Sequence, residues 1–203
     1  MTDASPRRRV SPLTPDDRRA AIIAATLPLL RDEGLNVSTR RIAECAGVAE
    51  GTIFRVFPDK GALISATLAH AFDPAPTVES IRAVSGDPDL RFRLRTAVQI
   101  LNRRFRDNAP LMVQLRSSGL AVVTNAPAPA FDPGETLAQL TAAFVELIKP
   151  DEGLLRLPAE TVAALLISMV LVNNRNQVLP TEDIVGVVLD GVLTPENQKE
   201  PAC

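Results

Sequence analysis

The chain has 203 residues, of which 46% are hydrophobic and 23% are charged, and its formal net charge is −2. This composition is typical of a soluble protein with a substantial core, and the length suits one large domain or a small domain joined to a larger one. The absence of Trp and Tyr disfavours proteins that bind single-stranded nucleic acid by stacking bases on such rings. Residues 1–60 carry ten Lys and Arg against eight Asp and Glu, so this part is slightly basic and the remainder is acidic.

The sequence also lacks the features of several other classes of protein. Cys45 and Cys203 lie far apart and His70 is the one histidine, which disfavours a disulfide framework, a metal site and a His-dependent catalytic triad. We therefore expect no catalytic residue, no metal and no cofactor. The most apolar run, residues 161–172, is shorter than the roughly 20 residues of a membrane span, and no signal peptide is visible. We expect a cytoplasmic chain without a membrane partner.

The N-terminal region combines a polar arm with a first helix. Residues 1–15 contain three prolines and the run Arg7-Arg8-Arg9, which predicts a disordered basic arm. That run either reaches a minor groove or nearby phosphates, or forms a basic tail without a partner. From Asp16 onwards apolar residues recur at helical spacing, at Ala20, Ile23, Leu27 and Leu30. Pro28 is expected to bend this helix and Gly34 to end it.

Two short helices joined by a tight turn are predicted next. Ser38 can cap a helix from Thr39 to Ala46, and Gly47 supplies the left-handed turn that follows. A third helix spans about Glu50 to Phe57, and a fourth spans about Asp59 to Asp73. We expect the inner faces of the second and third helices to pack against the first, through Ile42, Ile53 and Phe57 against Ile23 and Leu27. This arrangement is a helix-turn-helix.

The rest of the sequence has helical periodicity and no hairpin signal. After a loop rich in Pro, Ser and Gly, a long helix is predicted from Pro88 to Asn108 and a shorter one from Pro110 to Gly119. A Pro-rich break at 126–133 precedes helices at 135–148, 159–178 and 182–193. The fold class is therefore all-α.

The helix-turn-helix segment carries a specific pattern between Ile42 and Lys60, Ile-Ala-x-x-Ala-Gly-Val-x-x-Gly-Thr-Ile-Phe-x-x-Phe-x-x-Lys. This pattern resembles the DNA-binding domain of the TetR family of bacterial regulators, over roughly residues 16–72. The resemblance implies a three-helix DNA-binding domain at 16–60, after the arm at 1–15. It implies a helical ligand-binding and dimerisation domain at 61–203.

The resemblance also implies which residues contact double-stranded DNA. They lie on the second helix, on the third helix, which is the recognition helix, and at the start of the fourth helix. They are Thr39, Arg40, Arg41, Glu50, Gly51, Thr52, Phe54, Arg55 and Lys60. Glu50 either accepts a hydrogen bond from a cytosine amine or lends negative charge to a helix start. Two positions depart from the family: Ala49 stands where a capping hydroxyl is usual, and Phe54 stands where a phosphate-binding Tyr is frequent. Both changes weaken the contacts that position the protein on the DNA backbone, and Arg55 can compensate for this loss by pairing with guanine.

The resemblance further implies a homodimer and a small-molecule effector. The apolar residues of the last two helices expected at the dimer interface are Val162, Leu165, Leu166, Met169, Ile184, Val187 and Val188. The residues expected to line an effector pocket are Leu94, Val98, Leu101, Phe105, Met112, Leu115, Phe144, Met169 and Asn173. Ordinary core packing is the alternative for both sets. An apolar lining favours a lipophilic effector.

The sequence therefore predicts a ligand-responsive transcriptional repressor that binds a palindromic operator as a dimer and is released by an effector. A transcriptional activator of the same fold remains an alternative, since the sequence does not separate the two. A second alternative is a DNA-binding protein without an effector, although such a protein should be more basic overall. An enzyme is disfavoured, because no catalytic constellation or phosphate-binding glycine loop is present.

Overall fold

The structure is a computed structural model that describes residues 14–117, 132–176 and 179–192. These ranges form nine α-helices and one 3-10 helix, and they contain no strand. The α-helices are α1 (Pro15–Asp32), α2 (Thr39–Ala46), α3 (Glu50–Val56), α4 (Lys60–Phe72), α5 (Ala75–Arg82), α6 (Leu90–Ser117), α7 (Pro133–Ile148), α8 (Ala159–Asn176) and α9 (Thr181–Val192). The 3-10 helix spans Lys149–Leu154. The all-α fold class is confirmed.

The expected arm falls almost wholly outside the described residues, as does most of the Pro-rich break at 126–133. Within the described ranges, none of the helices combines the length and apolar character that a membrane span requires.

The ends of the short helices follow from capping residues. The Ser38 hydroxyl accepts a hydrogen bond from the backbone N–H of Arg41 at 3.1 Å, and Gly47 ends α2 with φ of 65°. The Asp59 carboxylate accepts from the N–H of Ala62 at 2.7 Å and so caps α4. The predictions for Ser38 and Gly47 are therefore confirmed.

The N-terminal core joins α1 to α4, which we call the head, and it also includes Leu111 of α6. Ile42, Ile53 and Phe57 are buried in it, as expected. The predicted face of α1 is confirmed at Leu30, which is fully buried, and is wrong at Ala20, which is exposed, while Ile23 and Leu27 are partly buried and pack against this core. The buried residues of α1 are Ile22, Thr26, Leu29 and Leu30. Apolar residues surround much of this helix, so periodicity alone did not identify the buried side.

A second core joins α5 to α9, which we call the body. Its centre is α6, whose Leu94, Ala97, Val98 and Leu101 are fully buried against α7, α8 and α9. The head core extends beyond residue 60, because α4 contributes Leu63, Leu68, Ala71 and Phe72 to it. Core packing thus favours grouping α4 with the head, while the division into two domains stays a prediction.

Two helix predictions are corrected. The helices expected at 88–108 and 110–119 form one helix, α6, which continues through Pro110. Proline removes one backbone hydrogen bond, but contacts of the following turn, including the burial of Leu111 in the head core, oppose a break. The loop expected after residue 73 contains α5, whose first turn includes Pro76. Proline is favourable there because its missing N–H has no partner in the first turn of a helix.

Candidate DNA-binding surface

The helices α2 and α3 meet at a tight corner. Ala43 is 4% exposed at their crossing, and the N–H of Val48 donates to the Ala43 carbonyl at 3.0 Å. Gly47 takes the left-handed conformation that a side chain would strain. A small residue, a glycine and a short apolar residue at these positions therefore allow α3 to turn sharply away from α2.

Most of the predicted DNA-contacting residues are exposed on α2 and α3. On α3, Ile53 faces the core, whereas Gly51, Phe54 and Arg55 are exposed. The other exposed members of the set are Arg40, Arg41 and Glu50, and the half-buried ones are Thr39, Thr52 and Lys60. Within the described part of the chain, no carboxylate lies within ion-pair distance of Arg55 or Lys60. Both cations are therefore available to an external anion.

The first three side chains of α2 are each bound to a carboxylate. The Thr39 hydroxyl donates to Glu50 at 2.5 Å, which joins the start of α2 to the start of α3. The Arg40 guanidinium donates to Glu44 at 3.3 Å, and the Arg41 guanidinium donates to Glu33 at 3.2 Å. Sequence reasoning did not anticipate these pairs.

The two departures from the family pattern have visible structural counterparts. Ala49 precedes α3 in extended conformation and offers no side-chain hydrogen bond to the first turn. Phe54 is 48% exposed, so its ring lies on the surface without a hydroxyl. A further residue that the sequence did not single out is Arg19, whose guanidinium lies 4.4 Å from the centre of the Phe57 ring. This contact brings a cation from α1 to the C-terminal end of α3.

The candidate dimer residues fall into two groups. Val162, Leu166, Ile184 and Val188 are buried in the core of the body, with exposures from 0% to 6%, so their side chains are not available to a partner. Leu165 and Val187 remain exposed at 42% and 55%, while Met169 is partly buried. The structure thus divides the predicted set between the core and the surface. Exposed Leu171 and Val172 were not predicted and extend the apolar surface of α8.

The candidate effector residues do not form one group. Leu94, Val98, Leu101 and Phe144 are fully buried in the core of the body, and Phe105 and Met169 pack against that core. Met112 and Leu115 instead pack against the core of the head. The side chain of Asn173 exchanges two hydrogen bonds with the backbone of Leu179, at 2.9 and 2.8 Å, and so braces the α8–α9 connection.

Two surface clefts stand out among the described residues, and neither contains a residue of the predicted pocket. A cleft of about 380 Å³ lies between α4 and α7, and its lining includes His70, Asp73, Asp132 and Glu135. A shallower groove of about 690 Å³ lies on α7, next to Leu137 and Val145. Across the described ranges, no three His, Cys, Asp or Glu side chains are placed to hold a metal ion. Because neither cleft contains a predicted effector residue, the effector pocket stays a prediction.

Polar contacts fasten α6 to the ends of two head helices. The Arg104 guanidinium donates to the carbonyls of Phe72 and Asp73 at 2.6 and 2.7 Å, at the C-terminus of α4. Burial is the main cause of a lowered pKa for Arg104. The Gln114 amide donates to the Leu30 carbonyl at 3.2 Å, at the end of α1. The same helix thus belongs to the body core and holds the head.

Comparisons with known proteins agree with this geometry. Residues 22–67 match the family described as bacterial regulatory proteins, tetR family. The transcriptional repressor KstR of Mycolicibacterium smegmatis is 34% identical over 99 residues, which cover 48% of each chain. The transcriptional regulator BetI of Burkholderia cenocepacia is 32% identical over 96 residues, which cover 47% of this chain and 50% of that protein. The matched region spans about half the length of these curated relatives.

Solved structures are similar in fold to the body of this chain as well as to its head. A TetR-family regulator from Mesorhizobium loti superposes with a TM-score of 0.67 at 15% identity, over 90% of this chain and 100% of that one. A TetR regulator from Streptomyces coelicolor does so with a TM-score of 0.57 at 25% identity, over 87% of this chain and 99% of that one. Residues 22–67 thus match the N-terminal domain of the tetR family of bacterial regulatory proteins, and the fold of the described helices is similar to that of solved TetR-family regulators.

Proposed function

We propose that the chain is a transcriptional repressor that binds double-stranded operator DNA through α2, α3 and the start of α4. The single observation that carries this proposal is the exposed outer face of the α2–α3 corner, where Arg55 has no carboxylate partner among the described residues. Arg55 has the reach and the planar donor group to pair with guanine in the major groove. The relative KstR is named a transcriptional repressor, which supports repression rather than activation.

The phosphate contacts in this proposal come from the two flanking helix starts. Arg40 and Arg41 open α2, and Lys60 opens α4, so these cations bracket the recognition helix. Phosphate contacts set the position of the protein on the duplex, and base contacts supply the sequence preference.

The regulator acts as a homodimer in this proposal, because operators with two half-sites match a two-fold protein. The surface for a second copy is the exposed apolar part of α8 and α9, which consists of Leu165, Leu171, Val172 and Val187. Sedimentation of Leu165→Asp and Val187→Asp variants tests it, with Val113→Asp at an exposed position of α6 as the matched control. We expect dimers for wild type and control and monomers for the two interface variants. A monomeric wild type at micromolar concentration contradicts the dimer.

The effector response would travel through α6, because this helix crosses the body core at Leu101 and the head core at Leu111. A lipophilic effector that separates the packed helices of the body would shift α6 and, through Arg104, the end of α4. The two recognition helices would then no longer match major grooves about 34–36 Å apart. An effector can shift this balance only by its difference in affinity for the two states.

Footprinting of the purified protein on DNA flanking its own gene tests the proposed function. We expect two protected half-sites with their centres about one helical turn, roughly 10 base pairs, apart. Protection without sequence preference contradicts the repressor and favours an effector-independent DNA-binding protein. An activator gives the same footprint but raises transcription of the neighbouring gene in a reconstituted assay, whereas the repressor lowers it.

A further inference from the structure

The first turn of α2 has an unusual distribution of charge. A helix N-terminus carries partial positive charge and is normally stabilised by acidic residues, but the first turn of α2 contains no acidic residue and two arginines. Each arginine is instead paired with a carboxylate from elsewhere, Arg40 with Glu44 and Arg41 with Glu33. Each carboxylate thus neutralises the charge of one of these two arginines.

These pairs are well exposed. The side chains of Arg40 and Arg41 are 83% and 54% exposed, and those of Glu44 and Glu33 are 54% and 41% exposed. Ion pairs in such surroundings are weak, because water screens them and holding two long side chains costs entropy. An external anion can therefore replace either carboxylate at little cost.

We infer that Glu33 and Glu44 occupy the phosphate-binding groups of Arg41 and Arg40 in the free protein and thereby lower its affinity for DNA of any sequence. This inference rests on the proposed function, in which α2 contacts the phosphate backbone. Binding to DNA is then an exchange, in which a phosphate takes the place of each carboxylate. When contacts to the DNA backbone are weak, the distinction between operator and other DNA sequences depends on the base contacts of α3.

The exchange of carboxylate for phosphate changes the affinity for DNA without changing the preference for one sequence. Phosphate contacts carry no sequence information, so removing a carboxylate strengthens binding to operator and random DNA by the same factor. An exposed pair of this kind is worth about a 1.5- to 5-fold change in the dissociation constant. The ratio of the two affinities stays constant, while the absolute affinity rises.

The experiment is a double-mutant cycle read by fluorescence anisotropy. Glu33→Gln is measured alone and in an Arg41→Gln background, on a labelled duplex of random sequence and on DNA flanking the gene. A second cycle combines Glu44→Gln with Arg40→Gln. Asp32→Asn is the matched control, because it removes one negative charge beside Glu33 and its carboxylate is in no described ion pair. Thermal melts followed by circular dichroism establish that each variant is folded.

We expect each glutamate variant to bind both duplexes about threefold more tightly than wild type, and the gain to vanish when the paired arginine is replaced. A gain in affinity that persists without the arginine overturns the inference, because the carboxylate then acts only through its overall electrostatic repulsion of DNA. A gain no larger than that of Asp32→Asn overturns it as well. If the wild type binds neither duplex, the proposed function fails and the inference fails with it. Glu50 is left unchanged, because it is itself a candidate base contact.

Discussion

Asn108 of the body helix α6 donates its side-chain amide to the backbone carbonyl of Ala71 in α4, 2.8 Å away. Its carbonyl oxygen accepts from the Arg31 guanidinium of α1 at 3.0 Å, so one buried side chain joins the ends of two head helices to the body. Buried amides that satisfy partners on both sides fix the relative positions of the elements they join.

Replacing Asn108 with Ala should lower the free energy of unfolding by about 1–3 kcal/mol, because the Ala71 carbonyl would lose its described side-chain donor while buried. Urea denaturation measures the change. Asp107→Ala is the control, since the Asp107 side chain is 53% exposed and faces Arg103 at 3.9 Å. Equal losses for the two variants would contradict a structural role for Asn108.

The uncapped start of α3 offers a gain in stability. Ala49→Ser supplies a hydroxyl that can accept from the first turn of α3, where the present side chain makes no hydrogen bond. We expect the free energy of unfolding to rise by about 0.5–2 kcal/mol. Ala138→Ser, at an exposed position inside α7, serves as the comparison, and it should be neutral or slightly destabilising. If Ala49→Ser does not raise the free energy of unfolding, water already binds the unpaired backbone N–H groups at the start of α3.

The exposed ring of Phe54 leads to a prediction about affinity alone. Phe54→Tyr adds a hydroxyl at a surface position, so it should leave the melting temperature unchanged. A hydrogen bond to a phosphate should tighten DNA binding by about 2- to 10-fold, the equivalent of roughly 0.5–1.5 kcal/mol. Anisotropy at fixed salt measures it. Unchanged affinity would place Phe54 away from the DNA backbone.

Stability in acid should depend on Glu152. Its carboxylate accepts from the N–H of Ala159 at 2.8 Å and pairs with Lys149 at 2.8 Å, and these contacts, the backbone hydrogen bond first, lower its pKa below the ordinary 4.5. The stabilisation is therefore complete above pH 4.5 and is lost as the pH falls through the lower pKa of the folded protein.

Glu152→Gln keeps an acceptor for Ala159 but cannot titrate, so its loss of stability on acidification should be smaller than that of wild type. Urea denaturation from neutral pH to below pH 4.5 measures both curves. Glu79→Gln on α5 is the control, because it removes an exposed carboxylate without touching the contacts of Glu152. Parallel curves for all three proteins would show that Glu152 does not contribute to this dependence.

Local chemistry explains why the head could be predicted from the sequence. Ser38 caps α2 and Gly47 ends it because a hydroxyl and a positive φ are requirements of single positions. The outward position of Arg55 follows from the helical period once Ile53 is known to face the core. The missing cap at Ala49 was visible for the same reason.

Tertiary packing explains what could not be predicted. Nothing local indicates that α6 continues through Pro110, because its later turns are held by contacts with the head. Val162 and Leu165 look alike in sequence, yet one is buried and the other is 42% exposed, since only packing of α8 on α6 and α7 separates them. The Glu33–Arg41 pair likewise depends on how α1 crosses α2.

The affinity of an Arg55→Ala variant for operator DNA shows whether the outer face of α2 and α3 binds DNA. Fluorescence anisotropy would compare it with wild type on DNA flanking the gene, with excess random competitor, and Arg95→Ala at an exposed position of α6 would serve as the control. We predict that wild type and control bind tightly, and that Arg55→Ala weakens binding by about 5- to 150-fold through the loss of a bidentate base contact. Equal binding by all three proteins, or no binding by a folded wild type, would contradict the proposed role of Arg55 in DNA binding.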